Sequence, residues 1–329
     1  MTAVSDVQFT VTDAEAGTRL DVLLVRRAPV FSRKTAMAAI STGDVRVDGR
    51  RVKKSYVVIA GNVVLASNAP AERVFHALPN LSLPLQILFE DNEVVVVNKP
   101  SKQPTHPLAA EETETLANAL VARYPEMADV GYDARQPGIL HRLDNDTSGI
   151  LLAARTRESF ERLREDLVGG EITKNYLALV EGRISAGRVI DAPLMPHPRD
   201  KKRMQVCDTE FEATSPGARS AVTRVDRVET VAGMSLVLVT APTARRHQIR
   251  VHLASIGHPL VGDLLYGGPS LAGLSRHFLH ASAIAFSHPQ SDQRVSFEAP
   301  LPDELVRITR EIGFDDAVVR SFSSRIEHA

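Results

Sequence analysis

Residues Gly138 to Ala154 read GILHRLDNDTSGILLAA. Apolar runs on both sides enclose a polar segment, His141 to Ser148, that is dense in ionisable groups. A polar loop held between buried elements is where a rigid scaffold presents side chains for function. The run Gly149 to Ala154 is short and has no helical period, so it reads as a buried strand. Asp144 follows Arg142 by two residues and precedes the turn formers Asp146, Thr147, Ser148 and Gly149. These residues alone leave two readings open: a functional carboxylate, or an aspartate that only caps a turn through local side-chain bonds.

The same texture extends outward. Val94 to Val97 is a continuous β-branched run and Tyr176 to Val180 a further apolar run, both read as buried strands. Phe160, Leu163 and Leu167 give Arg157 to Val168 helical spacing. Ala221, Thr223 and Val225 alternate toward a turn at Ala232-Gly233 and a strand at Ser235 to Thr240. Strands therefore dominate. The expected fold class is α+β, a mixed, largely antiparallel sheet over 85–300 with a helical extension over 301–329 and no internal repeat.

A chain of 329 residues exceeds what one compact core usually organises, so a second, smaller domain is expected. Residues 67–84 carry three prolines and no sustained period, which suits a linker. Before it, Leu20, Leu23, Leu24 and Arg27 fit a helix. Ser32 precedes a second helical stretch, Arg33 to Ser41, that Gly43 closes. Val45 and Val47, the turn Asp48-Gly49 and Val52 then read as a hairpin. From Gly17 to Ser67 ten Lys/Arg face three Asp, a local balance of +7, which is an electrostatic footprint for nucleic acid or a solvated charged face. The order of these elements resembles the S-four (alpha-L) RNA-binding module over 17–66, with 1–16 as an N-terminal arm. Arg19, Arg33, Lys34, Arg46, Arg50, Arg51 and Lys53 are its expected RNA contacts.

Composition excludes several classes. Apolar residues make up 43% and charged residues 24% of the chain, ordinary for a globular protein and unlike a disordered one. No window approaches a membrane span and Met1 to Gly17 lacks a secretory signal, so a cytoplasmic protein is expected. The single cysteine, Cys207, forms neither an internal disulfide nor a cysteine-based zinc site. The histidine pairs His247/His252 and His277/His280 lack HExxH spacing and a cluster to complete a site, so no metal is expected. The chain lacks a glycine-lysine phosphate loop and a dinucleotide fingerprint; Gly262, Gly267 and Gly268 around Asp263 and Tyr266 read as a tight turn.

The second informative stretch is Thr240 to Gly268, TAPTARRHQIRVHLASIGHPLVGDLLYGG. Thr243 is read as the cap of a helix that Gly257 ends and Pro259 forbids from continuing, with Ile249, Leu253 and Ile256 on its buried face. Arg246 and Arg250, four residues apart, repel one another unless an anion lies near, either a carboxylate or a phosphate.

Together, HRLDNDTSG, Lys174-Asn175-Tyr176, ARRHQIRVHLASIGHPLVGDLLYG and Phe278-Leu279-His280-Ala281 resemble the RluA-type pseudouridine synthases. So do the opening ILFEDNEVVVVNKP and its Lys99-Pro100 turn. The resemblance spans roughly Ile87 to Pro300, and an S-four domain is an accessory that many of these enzymes carry. It implies that Asp144 is the catalytic carboxylate, Arg142 the arginine that displaces the target base, Tyr176 the active-site tyrosine, Arg250 the arginine pairing with the carboxylate, and Leu279 the apolar residue packed at the site. His141, Thr147 and Gln248 are expected to line the substrate site. Ala244-Arg245-Arg246 stands where many members have Gly-Arg-Thr, and Ser101-Lys102-Gln103 replaces a more usual small-residue turn; both departures bear on substrate fit.

The implied reaction isomerises uridine in structured RNA, preferably large-subunit ribosomal RNA, with transfer RNA as the other candidate. Nothing is oxidised and nothing leaves, so no cofactor is expected, and a monomer suffices. Aromatic residues are only 5% of the chain, so phosphate contacts and shape, rather than a broad stacking platform, are expected to dominate recognition. Two alternatives remain from the residues: a nucleoside glycosylase, in which the carboxylate delivers water to the anomeric carbon, and a non-catalytic RNA-binding ribosome-assembly factor.

Overall fold

The computed structural model describes residues 5–28, 31, 33–69, 75–215 and 217–323. The chain divides into two compact units, Met1–Val74 and Phe75–Ala329.

In the first unit, β1 (Ser5–Thr10) leads to helices α1 (Leu20–Arg27) and α2 (Arg33–Thr42), followed by β2 (Val45–Val47), β3 (Arg50–Arg51) and β4 (Val63–Ala69). The sheet order is β1-β4-β2-β3. Leu20, Leu23, Leu24, Ala36 and Ile40 from the helices pack on Val45, Val47, Val64 and Ala66. Asp48 and Gly49 both have positive φ, 48° and 74°, the backbone that a two-residue hairpin with right-handed strand twist requires. The expected N-terminal arm is different in the structure: Ser5–Thr10 is a strand paired antiparallel with β4, which covers an otherwise open edge. Ser32 and the side chain of Lys34 lie outside the described residues.

The second unit begins with β5 (Ile87–Glu90), β6 (Val94–Lys99), α3 (Leu116–Arg123), β7 (Ser148–Ala154), α4 (Arg157–Gly169) and β8 (Thr173–Glu181). Next come β9 (Arg188–Asp191), the short pair β10 (Leu194–Pro196) and β11 (Met204–Val206), α5 (Glu210–Ala213), β12 (Val222–Val231) and β13 (Met234–Thr240). Helix α6 (Gln248–Ser255), β14 (Leu279–Ser287), β15 (Arg294–Glu298), α7 (Asp303–Ile312) and α8 (Asp316–Ser323) complete it. The main sheet runs β5-β6-β7-β14-β8-β13-β12-β9, with β15 also on β14. Among its described pairings all are antiparallel except β7 with β14, which bears out the mixed, largely antiparallel α+β reading.

Alternation along β8 explains why both faces of the sheet are covered. Tyr176, Ala178 and Val180 point into one core with Val96, Leu152 and Leu253. Leu177 and Leu179 point into another with Leu305 and Ile308 from α7, Phe314 from the link that follows it and Phe322 from α8. The 301–329 extension is therefore a cover of the sheet wherever it is described. The expected 67–84 linker is shorter in the structure, because β4 continues to Ala69 and the segment from Ala77 docks on the second unit. There Asn118 donates to the Leu78 carbonyl at 2.6 Å and Asn80 to the Thr113 carbonyl at 2.9 Å.

Helix α6 starts later than expected. Its N-terminal boundary residue is His247 in the left-handed region, φ 55°, and not Thr243. The Thr243 hydroxyl instead donates to Gln248 Oε1 at 2.8 Å, so it braces the turn that precedes the helix. Ile249 and Leu253 are buried in the core as expected, and Ile256 packs against it.

Candidate active site

The loop after residue 140 is pinned from three sides. Lys99, fully buried, donates to the carbonyls of Pro100, Gln103 and Asn145 at 2.8, 2.8 and 3.2 Å. Three acceptors match the three N–H bonds of an ammonium. Burial pushes its pKa down to about 7, against the pull of Asp144 and Asp146. The Thr105 hydroxyl donates to the Leu143 carbonyl and accepts from the Leu143 N–H, at 2.8 and 3.2 Å. Arg276 donates to the Asp146 carbonyl and the Ser148 hydroxyl, at 3.0 and 3.2 Å. At the loop's exit Gly149 meets β14, where an added Cβ would lie 2.2 Å from the Ala281 carbonyl oxygen. Only glycine permits that parallel approach.

This pinning presents Asp144, its side chain 16% exposed, to Arg250. Arg250 Nη1 donates to Asp144 Oδ2 at 2.9 Å. Its Nε and Nη2 donate to the buried Asp263 at 2.7 and 2.9 Å, a fork-on-carboxylate pair of fixed geometry. The guanidinium also lies over Tyr266, 5.1 Å from the ring centroid. Burial works against charge on Asp144, but His247 and Arg250 outweigh it and hold the carboxyl below the usual carboxylate range. His247 Nε2 is 3.9 Å from Asp144 Oδ2, while its Nδ1 meets the Tyr266 hydroxyl at 2.8 Å. Burial pushes the imidazole down to about 4. Burial, and then the Asp144 charge, raise the Tyr176 phenol above its ordinary value, so it keeps its proton at neutral pH.

Arg142, Asp144, Tyr176, His247, Arg250 and Leu279 line one cleft. A second recess, with Thr105, His106 and His277 on its wall, shares Arg142, Asp144 and Arg250. The arrangement is an ionised carboxylate beside a protonated phenol and an apolar wall, open to an exposed arginine. Such a set suits attack on, or stabilisation of, an electron-poor sugar carbon. Among the described residues no group of three or more His, Cys, Asp or Glu is placed to hold a metal. No described helix is long and apolar enough to cross a membrane.

Residues 93–255 match the RNA pseudouridylate synthase family and residues 18–64 the S4 domain. A ribosomal large subunit pseudouridine synthase D of Xylella fastidiosa is 36% identical over 324 residues, 94% of each chain. The chain belongs to the RNA pseudouridylate synthase family. An uncharacterized RNA pseudouridine synthase of Bacillus subtilis is 34% identical, covering 94% of this chain and 99% of that one. The solved structure of human RNA pseudouridylate synthase domain containing 1 superposes with a TM-score of 0.53 at 25% identity, over 76% of this chain and 99% of that chain. A pseudouridine synthase with an S4 domain is thus an RNA-directed isomerase.

Within this synthase the residues expected at the site divide. Asp144, Tyr176, Arg250, Arg142, Thr147 and Leu279 come together at the cleft. Thr147 Oγ1 is engaged by His277 Nε2 at 2.8 Å. Gln248 borders the cleft, but its carboxamide is taken up by the protein. Its oxygen accepts from Thr243 and the Arg245 N–H, and its nitrogen donates to the Val222 carbonyl and to Thr223. All four bonding positions of the amide are filled, so Gln248 braces the turn and leaves nothing for substrate. His141 is buried behind the loop, with Nε2 accepting from the Leu152 N–H at 3.4 Å. It does not line the cleft.

In the S4 unit, Arg46, Arg50, Arg51 and Lys53 are exposed. Arg19 and Arg33 are exposed as well, and each also binds the fully buried Asp21, at 2.9 and 3.1 Å. A buried carboxylate needs such partners, which makes these two arginines part of the fold. Sequence reasoning misses Asp263, His247 and Tyr266 as a set. It places Asp263 and Tyr266 only in a glycine-flanked turn, which they do occupy: a Cβ at Gly268 would fall 1.9 Å from the Leu260 carbonyl oxygen.

Proposed function

We propose that this chain converts specific uridines of large-subunit ribosomal RNA to pseudouridine, with Asp144 as the reacting carboxylate. The observation that carries the reading is the bond from Arg250 to Asp144, made by a guanidinium already locked on Asp263. It keeps a nucleophilic oxygen ionised at the cleft and leaves that oxygen's second lone pair free.

The reaction breaks the bond between N1 of uracil and the anomeric carbon and forms one from carbon 5 to the same carbon. The proton on carbon 5 is lost and N1 gains one, so the sum of atoms is unchanged. Asp144 acts on the sugar or the base while Tyr176 and Leu279 frame the ring; the phenol, still protonated, is able to donate to it. The target nucleotide must first leave its stack, at about a few kcal/mol. Arg142, exposed at the rim and without an ion pair or hydrogen bond of its own among the described residues, suits the vacated place.

Large-subunit ribosomal RNA is favoured because relatives matching more than nine-tenths of the chain are named for it. Arg46, Arg50, Arg51 and Lys53 supply phosphate contacts. A cytoplasmic monomer meets these requirements. The test is nucleoside mass spectrometry with position mapping on ribosomal and transfer RNA from cells lacking the protein, complemented with wild type or Asp144→Asn. Loss of one or a few pseudouridines, restored by wild type alone, supports the reading; an unchanged map overturns it.

A further inference from the structure

The turn between β10 and β11, residues 197–203, reads HPRDKKR. Arg199, Lys201 and Lys202 are exposed, and no carboxylate forms a salt bridge with any of them among the described residues. Asp200, within the turn, accepts the Lys202 N–H at 2.9 Å and pairs with none of the three, and Glu212 holds Gln205 and the Asp208 N–H. Three exposed cations against the one carboxylate of Asp200 leave the turn net positive, which attracts an anion.

Their position is fixed from the active-site side. Arg246, on the cleft wall, donates through Nη1 to the Lys201 carbonyl at 3.1 Å and through Nη2 to the Lys202 carbonyl at 2.8 Å. At the root of the turn, the Met204 N–H donates to the Tyr266 hydroxyl at 2.8 Å, and the Arg203 guanidinium lies 5.5 Å from the Tyr266 ring centroid. Tyr266 in turn meets His247 and underlies Arg250. The basic turn is thus joined through a few bonds to the groups around Asp144. A charged loop with no ligand would gain nothing from a two-point clamp on its backbone; a loop that must hold an anion at a set distance from the reacting carboxylate would.

We propose that the 197–203 turn is a phosphate-binding finger that holds the RNA strand flanking the target nucleotide, with Arg246 as the latch that fixes it beside the cleft. This rests on the reading of the chain as acting on ribosomal RNA. The phosphodiester backbone is the ligand, so the contact carries affinity and register and no base preference. Two arginine donors spanning two successive carbonyls fix a turn as a lysine, with one nitrogen, does not.

The test uses the full chain and the ribosomal RNA transcript on which wild type is active, measuring kcat and KM across a range of salt. The triple variant Arg199→Ala, Lys201→Ala, Lys202→Ala should raise KM about tenfold or more at low salt, with kcat within about twofold. It should also flatten the dependence of log KM on log salt by about two units, at roughly 0.7 per lost single-strand phosphate contact. Unchanged KM and slope overturn the finger, and so does a fall in kcat at constant KM, which would make the turn a prop of the pocket. Arg246→Ala keeps all three finger charges and should raise KM with a salt slope closer to wild type than that of the triple variant. An unchanged KM removes the latch. Failure of wild type to modify any RNA strikes the reading of function instead, so the two failures are distinguishable.

Discussion

Arg250 is shared between two carboxylates, donating once to Asp144 at 2.9 Å and twice to Asp263 at 2.7 and 2.9 Å. The asymmetry assigns different work to the two acids. Asp263 takes the rigid fork and sets where the guanidinium lies; Asp144 receives one bond from it.

Asp144→Asn should lower pseudouridine formation at least about a thousandfold, the scale of losing a group on which the covalent step depends, while RNA affinity is little changed. A single-turnover assay and filter binding on the same preparation check it. Turnover within tenfold of wild type would remove Asp144 from the chemistry.

Asp263→Asn keeps the shape and removes the charge beneath Arg250. Breaking a buried pair costs about 3–5 kcal/mol, reduced here to about 2–3 because Asp144 still faces the same arginine. Urea unfolding reads that loss. A guanidinium displaced by a fraction of an ångström should also lower kcat by about 10- to 100-fold; wild-type kcat would show that Asp263 only stabilises the fold.

The acid limb of kcat/KM should lie below pH 3.8, because the Asp144 carboxyl is held below that value and the proposed reaction requires it ionised. In the same sense, its contribution to stability is complete above the unfolded carboxylate value and is lost as pH falls through the folded one. Arg250→Met leaves burial less opposed and should move the limb upward. His247 takes up a proton near 4, so the profile is repeated with His247→Asn, a residue that tolerates the left-handed backbone at this position. Disappearance of the limb in that variant would assign it to the imidazole.

Lys99→Met should loosen the loop that carries Asp144 without touching the cleft, since three carbonyls on two segments lose their donor. The expected loss is about 2–4 kcal/mol. Hydrogen exchange of the amides from Leu143 to Thr147 should quicken more than that of β7; uniform quickening would mean that Lys99 holds the fold as a whole and not the loop.

The sequence carried the local information well. Val94 to Val97, Gly149 to Ala154 and Tyr176 to Val180 became strands because short β-branched or apolar runs without helical period have one economical use, inside a sheet covered on both faces. The turns at Asp48-Gly49 and Ala232-Gly233 are hairpin turns with positive φ at both residues. Thr243 misled because local sequence shows that a hydroxyl stands ahead of a helical stretch and does not show which acceptor or donor it will meet. Its hydroxyl turned to the side chain of Gln248, and the helix began at the next left-handed residue.

What the sequence determined by itself was the order of the elements, the polar loop carrying Asp144 and, through long ordered motifs, the family. What the tertiary structure decided was which charges meet. Arg246 and Arg250 stand four residues apart in sequence, yet one clamps a basic turn and the other joins two carboxylates. Spacing along a chain fixes only which residues share a turn of helix or a face of a strand. The partner of Arg250 lies 106 residues away, and the two are brought together by packing between elements, which no local period encodes.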